Sequence, residues 1–275
     1  MDGTEPRNPC ATVAAPALAP APGPVRGWWA AGVETLLSLT LPWECPVCGA
    51  GDDQGRAGPF CDDCRGALLE TAGLACTRCA MPVGPWTARQ GKCRECRGRR
   101  LGFDAAVAIG PYKDTLRTLC LRLKHAPDAW LARWLAELLV EARPALREEA
   151  ARTPGALVVP VPLHWRRRLA RGYNQADELA YGLARALRLP RARPLRRMCH
   201  TAILAGLGRS ERARQLRGAF RVVSRAGPAL KGKTVLLVDD ILTTGATCGA
   251  AARALKAAGA KRVVAVVVAR AEGRA

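Results

Sequence analysis

The stretch 235–247, VLLVDDILTTGAT, decides how this chain is read. Its first residues are aliphatic and partly β-branched, the texture of a strand buried on both faces. Two adjacent carboxylates, Asp239 and Asp240, follow directly, and then a loop of Thr243, Thr244, Gly245, Ala246 and Thr247 that opens a helical pattern over 246–258. Open α/β sheets collect ligands at the carboxyl ends of their strands. A carboxylate pair there can accept hydrogen bonds from the vicinal hydroxyls of a ribose, whereas a phosphate so close to two negative charges would be repelled. Backbone N–H groups of the loop, the hydroxyls of Thr243, Thr244 and Thr247, and the positive end of the helix suit a 5′-phosphate. Gly245 lets the backbone approach that phosphate closely. The order strand, carboxylate pair, hydroxyl-rich glycine loop, helix therefore predicts a site for the phosphate and ribose of a phosphoribosyl compound.

Working outward, short apolar runs alternate with longer helical patterns from Phe103 onward, which predicts an α/β domain with a parallel sheet. Strands are expected at 105–110, 156–161, 218–223, 234–238 and 262–269, and helices at 114–124, 129–141, 174–189 and 246–258, with Pro127 breaking the first two helices apart. The run 156–161, ALVVPV, reads as a buried central strand. No Walker-type Gly-Lys-Ser/Thr sequence is present, and Gly206-Leu207-Gly208 follows no strand, so neither reads as a nucleotide-phosphate fingerprint.

Before Phe103 the texture differs. Residues 1–26 are rich in Ala and Pro without a hydrophobic period and read as a disordered tail. The run 27–41 carries Trp29, Val33, Leu36 and Leu37 at helical spacing and reads as a short docking helix that Pro42 stops. Residues 43–101 hold few aliphatic side chains but four Cys-x-x-Cys pairs: Cys45/Cys48, Cys61/Cys64, Cys76/Cys79 and Cys93/Cys96. Four thiolates at about 2.3 Å complete a closed tetrahedral zinc site, which is structural in kind. Two zinc ribbons in series are expected, Cys45/Cys48/Cys61/Cys64 and Cys76/Cys79/Cys93/Cys96, their metal supplying the folding free energy that a small core does not. An interleaved pairing satisfies the same spacing. The expected division is thus a tail at 1–26, helix plus double ribbon at 27–102, and an α/β domain at 103–275.

With 275 residues and a formal charge of +20, the chain is large enough for one full core plus a small module and favours an anionic partner. Much of the excess is arginine, whose planar fork suits phosphate. Lys92, Arg94, Arg97, Arg99 and Arg100 around the second ribbon read equally well as a nucleic-acid contact or a solvated basic face. Cys10, Cys120, Cys199 and Cys248 lack partners at ligand spacing and read as ordinary small residues. Of the twelve cysteines, eight sit in metal spacing. No secretory signal and no apolar run of about 20 residues are read, so a cytoplasmic address without a transmembrane segment is expected.

The phosphate stretch resembles the PRPP (phosphoribosyl pyrophosphate) motif of type I phosphoribosyltransferases at every position. The cysteine pairs, LRLKH around Lys124, VPVPLHWRRRLARGYNQADELA and VLLVDDILTTGAT together resemble the ComF/GntX family of competence-associated, phosphoribosyltransferase-like proteins. The run Arg171, Gly172, Tyr173, Asn174, Gln175 is distinctive of that family. The resemblance implies a diphosphate loop at Pro162, Leu163 and His164, with Arg166, Arg167, Arg168 and Arg171 beside it and magnesium arriving with PRPP. It also implies a mobile segment carrying Arg212. Leu204 and Gln215 depart from the residues common at their positions. His164 is alternatively a plain turn histidine.

Two functions follow. In one, the chain binds PRPP and serves DNA uptake in natural transformation, with single-stranded DNA and the uptake machinery as partners. In the other, it transfers phosphoribose from Mg-PRPP to a nitrogen nucleophile, with Asp239 and Asp240 in the catalytic site. No general base or nucleobase pocket is legible.

Overall fold

The computed structural model describes residues 44–51, 58–90, 93–152, 155–198, 215–216 and 218–272. The tail at 1–26, the helix at 27–41, Lys92, Cys199, His200, Leu204, the 206–208 run and Arg212 lie outside the described residues. By its internal contacts the chain divides into two compact units at Cys64/Arg65. The second cysteine set thus belongs to the larger unit.

In order, the elements are α1 (Asp62–Glu70), α2 (Pro85–Gln90), β1 (Ala105–Pro111), α3 (Asp114–Arg122), α4 (Leu131–Ala142), α5 (Ala145–Arg152), β2 (Leu157–Pro160), α6 (Trp165–Arg171), α7 (Gln175–Leu187), β3 (Leu195–Arg197), β4 (Phe220–Val222), α8 (Gly227–Leu230), β5 (Thr234–Leu242), α9 (Ala246–Ala257) and β6 (Arg262–Arg270). The parallel sheet runs β1-β6-β5-β2. The central pair, β5 and β6, is the most apolar: residues 234–238 and 263–270 are all buried, as strands covered on both faces must be. Helix α7 packs on β2 and β5, α4 on β1 and α7, and α3 and α9 on β6.

The run 156–161 is not a central strand. β2 ends the sheet order among the described residues, and beyond it a single parallel bridge among them joins Val158 to Arg191, where Val158 N–H donates to the Pro190 carbonyl and Ala192 N–H to the Val158 carbonyl. A continuous apolar run reports that both faces are covered, not that both edges are paired. β4 does not join this sheet either. It pairs antiparallel with β3, Arg197 opposite Phe220, in a separate two-stranded ribbon.

Residues 76–103, with few aliphatic side chains of their own, borrow a core from the sheet. Cys76, Cys79, Cys93, Cys96, Met81, Leu101 and Phe103 belong to the same hydrophobic cluster as Val235, Leu237, Val263 and Ala265. A half-buried arginine clip adds to this. Arg143 donates from Nε to Ala108 O (2.7 Å), from Nη1 to Ala72 O and Gly73 O (both 2.9 Å), and from Nη2 to Ile109 O (2.9 Å), tying the segment after α1 to β1. No helix of the described residues is long and apolar enough to cross a membrane.

Candidate functional site

β5 extends past the expected end at Val238 and carries the carboxylate pair within its ladder, Asp239 opposite Val267 of β6. The strand therefore fixes where both backbones sit, and local hydrogen bonds fix the side chains. Asp240 N–H donates to Asp239 Oδ1 (3.0 Å), and Ile241 N–H to Asp240 Oδ1 (2.8 Å). The Gln175 amide Nε2 donates to Asp240 Oδ2 (3.1 Å), and the Cys248 thiol to Asp239 Oδ2 (3.8 Å). Both residues keep part of their surface exposed. Burial of the Asp239 carboxyl nevertheless pushes it well above the usual carboxylate range, the neighbouring Asp240 adds to the rise, and Arg197 opposes it. A pair in this condition favours hydroxyl donors or a hard cation, either of which relieves the repulsion.

The loop after β5 is held through its carbonyls. Arg270 Nη1 donates to Leu242 O (2.9 Å) and Thr243 O (2.7 Å), and Arg99 Nη2 donates to Thr244 O (2.7 Å). Thr244 Oγ1 accepts the N–H of Ala246 (3.3 Å), while Gly245 takes a left-handed conformation (φ 79°) at the start of α9. Gly249, one turn into α9, has a different reason to be glycine: a Cβ there would stand 2.1 Å from the Leu101 carbonyl oxygen. Thr247 lies between them, in the first turn of α9.

The run 171–175 proves to be a connector. Gly172 ends α6 in a left-handed conformation, and Asn174 caps α7 by accepting the N–H of Ala176 (3.3 Å). Tyr173 donates its hydroxyl to the carbonyls of Leu123 and His125 (3.2 Å for the latter), bracketing Lys124. Burial pushes the Tyr173 phenol up to about 12, which keeps it a donor. Asn174 Nδ2 donates to Val161 O (3.2 Å) at the end of β2, and Gln175, 4% exposed, reaches Asp240. Three consecutive side chains thus tie the Lys124 turn, the β2 end and the carboxylate pair to one helix start.

Pro162, Leu163 and His164 form the turn between β2 and α6. His164 is buried, and its Nδ1 accepts the N–H of Arg166 (3.3 Å), so it is the N-cap of α6. Trp165 and Leu169 of α6 are exposed, and Arg166 lies over the Trp165 ring at 5.3 Å, along its own helix. Neither Arg166 nor Arg171 forms an ion pair with Asp239 or Asp240 among the described residues. Arg197 of β3 is the cation that counteracts the rise of Asp239; its own pKa is lowered by burial and then by Arg167, against which the Asp239 charge acts only in part. Sequence reasoning misses Arg197, Arg99 and Arg270 as site residues, because one arginine among so many carries no signal. Cys248 has the clearer signal, standing next to Thr247 in the phosphate stretch.

The sulfurs group serially: Cys45, Cys48, Cys61 and Cys64 form one set and Cys76, Cys79, Cys93 and Cys96 the other, each with all four sulfurs within 4.8 Å of one another. Four sulfurs about a tetrahedral zinc stand about 3.8 Å apart, given Zn–S of about 2.3 Å. The closest approaches are 3.6 Å for Cys48/Cys61, 3.7 Å for Cys76/Cys96, 3.4 Å for Cys79/Cys93 and 3.8 Å for Cys93/Cys96. The residues fit the ion. Backbone N–H groups aim at the sulfurs, as from Cys61 to Cys45 (3.5 Å) and from Cys64 to Cys61 (3.4 Å). Burial would raise the Cys76 thiol, but N–H groups of Arg78, Cys79 and Cys93 outweigh it and bring it down to about 7. Closed four-sulfur sets of this kind support structural zinc.

Residues 172–275 match the model of the phosphoribosyl transferase domain, and residues 36–97 match that of the double zinc ribbon domain. Competence protein F of Haemophilus influenzae is 32% identical over 215 residues, covering 74% of this chain and 93% of that protein. DNA utilization protein YhgH of Escherichia coli K12 is 30% identical, covering 82% of this chain and 96% of its own length. Competence protein ComFC of Bacillus subtilis is 26% identical, with 71% and 77% covered. With its carboxylate pair and loop at the end of a parallel strand and two cysteine tetrads ahead of the sheet, the chain belongs to the ComF/GntX family of phosphoribosyltransferase-like proteins with an amino-terminal double zinc ribbon.

Proposed function

We propose that the chain binds Mg-PRPP at Asp239, Asp240 and the loop Thr243–Thr247, and that this binding serves DNA uptake in natural transformation. The observation that carries the first half is the bracing of Asp240 by Gln175 beside a loop whose carbonyls are already taken. In this reading Asp239 and Asp240 accept the ribose hydroxyls, and N–H and hydroxyl groups of Thr243, Thr244, Gly245 and Thr247 take the 5′-phosphate. The diphosphate lies toward Pro162–His164, with the half-buried Arg197 as the cation whose charge bears on Asp239 and Arg166 and Arg171 on the helix beside it. Magnesium, arriving with PRPP, supplies charge to the diphosphate oxygens. The second half draws on the names of the relatives, a competence protein and a DNA utilization protein. Single-stranded DNA is the partner it implies, and the cytoplasm the place.

The match to the phosphoribosyl transferase domain supports a second reading, transfer of phosphoribose to a nitrogen nucleophile with departure of diphosphate. Arg197 would then stabilise the leaving charge while the acid pair holds the ribose.

Calorimetric titration with Mg-PRPP tests both. Binding is expected, with loss in Asp240→Ala; no heat at millimolar ligand overturns the PRPP site. Diphosphate release dependent on an added base or amine favours the transferase. Its absence, together with lowered transformation of the host carrying Asp240→Ala, favours the uptake role.

A further inference from the structure

We infer that Arg270 and Arg99 are positioning residues that join the second cysteine tetrad to the phosphate loop, so that metal held by Cys76, Cys79, Cys93 and Cys96 sets the aim of the loop. The phosphate half of this statement rests on the PRPP reading; the joining does not.

The physical case begins with Arg270. It is the last residue of β6 and is 2% exposed, so its charge must be compensated within the protein. Its Nε donates to the carbonyl of Cys79 (2.8 Å), inside the second tetrad. Its Nη1 donates to Leu242 O (2.9 Å) and Thr243 O (2.7 Å), where β5 passes into the loop, and to Ala271 O. One guanidinium therefore grips a metal knuckle on one edge and the loop entrance on another. Arg99, three residues beyond Cys96, repeats the link. It donates to Thr244 O (2.7 Å) and to Glu95 O (2.9 Å), and its own carbonyl is held by Arg78 Nη2 (2.6 Å).

The loop's geometry turns these contacts into aim. In a planar trans peptide the C=O of one residue and the N–H of the next point in opposite directions, and every described peptide is trans. Fixing the carbonyls of Leu242, Thr243 and Thr244 on the ribbon side directs the N–H groups of Thr243, Thr244 and Gly245 away from it. Those are the donors a 5′-phosphate would meet. The knuckle must be rigid for this to hold; packing in the hydrophobic cluster and the hydrogen bonds from Cys76 N–H to Met81 O and from Ala80 N–H to Cys76 O hold its backbone, and metal bound by the four sulfurs would cross-link it. A zinc held by these four thiolates would carry a net charge of about −2, from one dication and four anions, beside the Cys79 carbonyl that Arg270 grips, and would help to compensate that arginine.

The test needs no turnover. Amide exchange of the ligand-free protein is followed by mass spectrometry at 242–248, with β1 as an internal control, in wild type, Arg99→Met and Arg270→Met. Expected in the variants is at least tenfold faster exchange in the loop, unchanged exchange in β1, two zinc ions per chain, and about tenfold weaker Mg-PRPP binding. Stepwise chelation of wild type should release the loop as zinc leaves. Arg99→Met keeps the test alive if Arg270→Met does not fold, because the Arg99 side chain is partly exposed. Loop exchange like wild type in Arg99→Met and after chelation overturns the coupling. If wild type fails to bind PRPP while the exchange result stands, the PRPP reading falls and the coupling survives.

Discussion

Gln175 reaches across 65 positions of sequence to donate its amide to Asp240, at 3.1 Å. The amide is buried, and its Oε1 has no hydrogen-bond partner among the described residues. An unsatisfied buried acceptor costs about 1–3 kcal/mol, so the fold tolerates an unfavourable group in order to hold one carboxylate. Removing the amide should therefore separate stability from binding. In Gln175→Leu the lost donor and the relieved acceptor offset each other, and the urea midpoint should move by less than about 1 kcal/mol equivalent. Mg-PRPP binding by calorimetry should weaken about tenfold, the weight of one neutral hydrogen bond to a charged group. Wild-type affinity in this variant would remove Gln175 from the site.

Asp239 makes a pH prediction. Its carboxyl titrates well above the value of about 3.9 that it has in the unfolded chain, chiefly through burial. Between those two values the folded chain keeps a proton that the unfolded chain releases, so stability falls as pH rises through that window and the whole penalty is present above it. Asp239→Asn removes the charge and retains an oxygen for the Asp240 N–H. The variant should be more stable than wild type at pH 8, with the difference shrinking as pH falls and gone below about pH 4, the unfolded-chain value, and it should lose Mg-PRPP binding. A urea midpoint difference that is flat with pH would contradict this.

These two carboxylates are legible in the sequence because strand, acids and loop occupy thirteen consecutive residues, 235–247, so local order alone carries the chemistry. The cysteine sets are legible for the same reason, and the serial grouping matches the preference of compact hairpins for near ligands. Other features depend on contacts between residues far apart in sequence. Arg99 meets Thr244 across 145 positions and Arg270 meets Cys79 across 191, and nothing local to either arginine announces it. In sequence Arg99 reads as a nucleic-acid contact or a solvated basic residue; it is instead committed to a loop carbonyl. The misplacement of 156–161 has the same origin, since strand order is set by pairing partners that a single run does not name.

Gly249 and Gly66 give opposite expectations for one substitution. At Gly249 an added Cβ meets the Leu101 backbone oxygen at 2.1 Å, and neither backbone can move without shifting α9 or the segment leaving the ribbon. Gly249→Ala should destabilise by about 2 kcal/mol or more, as overpacking does. Gly66 lies in α1 with nothing within 4 Å of its Cβ position. Gly66→Ala should stabilise by up to about 1 kcal/mol. Urea midpoints of the two variants decide, and equal values would mean that the approach of α9 to Leu101 is loose.

The cysteine sets should differ in what their loss does to the larger unit. Cys61→Ser and Cys96→Ser each remove one thiolate from a closed tetrad, and each should reduce the metal content from two zinc ions per chain to one, read by plasma emission. Cys96, however, is fully buried in the cluster that contains Val235 and Leu237, so its replacement places an extra hydroxyl and a loosened knuckle against the central strands. In Cys96→Ser the amides of β5 and β6 should lose protection from hydrogen exchange by tenfold or more, and Mg-PRPP binding should weaken with them. A Cys96→Ser protein that has lost its zinc while β5 keeps wild-type protection would mean that the hydrophobic contacts of Leu101 and Phe103 suffice to hold the sheet, and that the metal stabilises the ribbon alone.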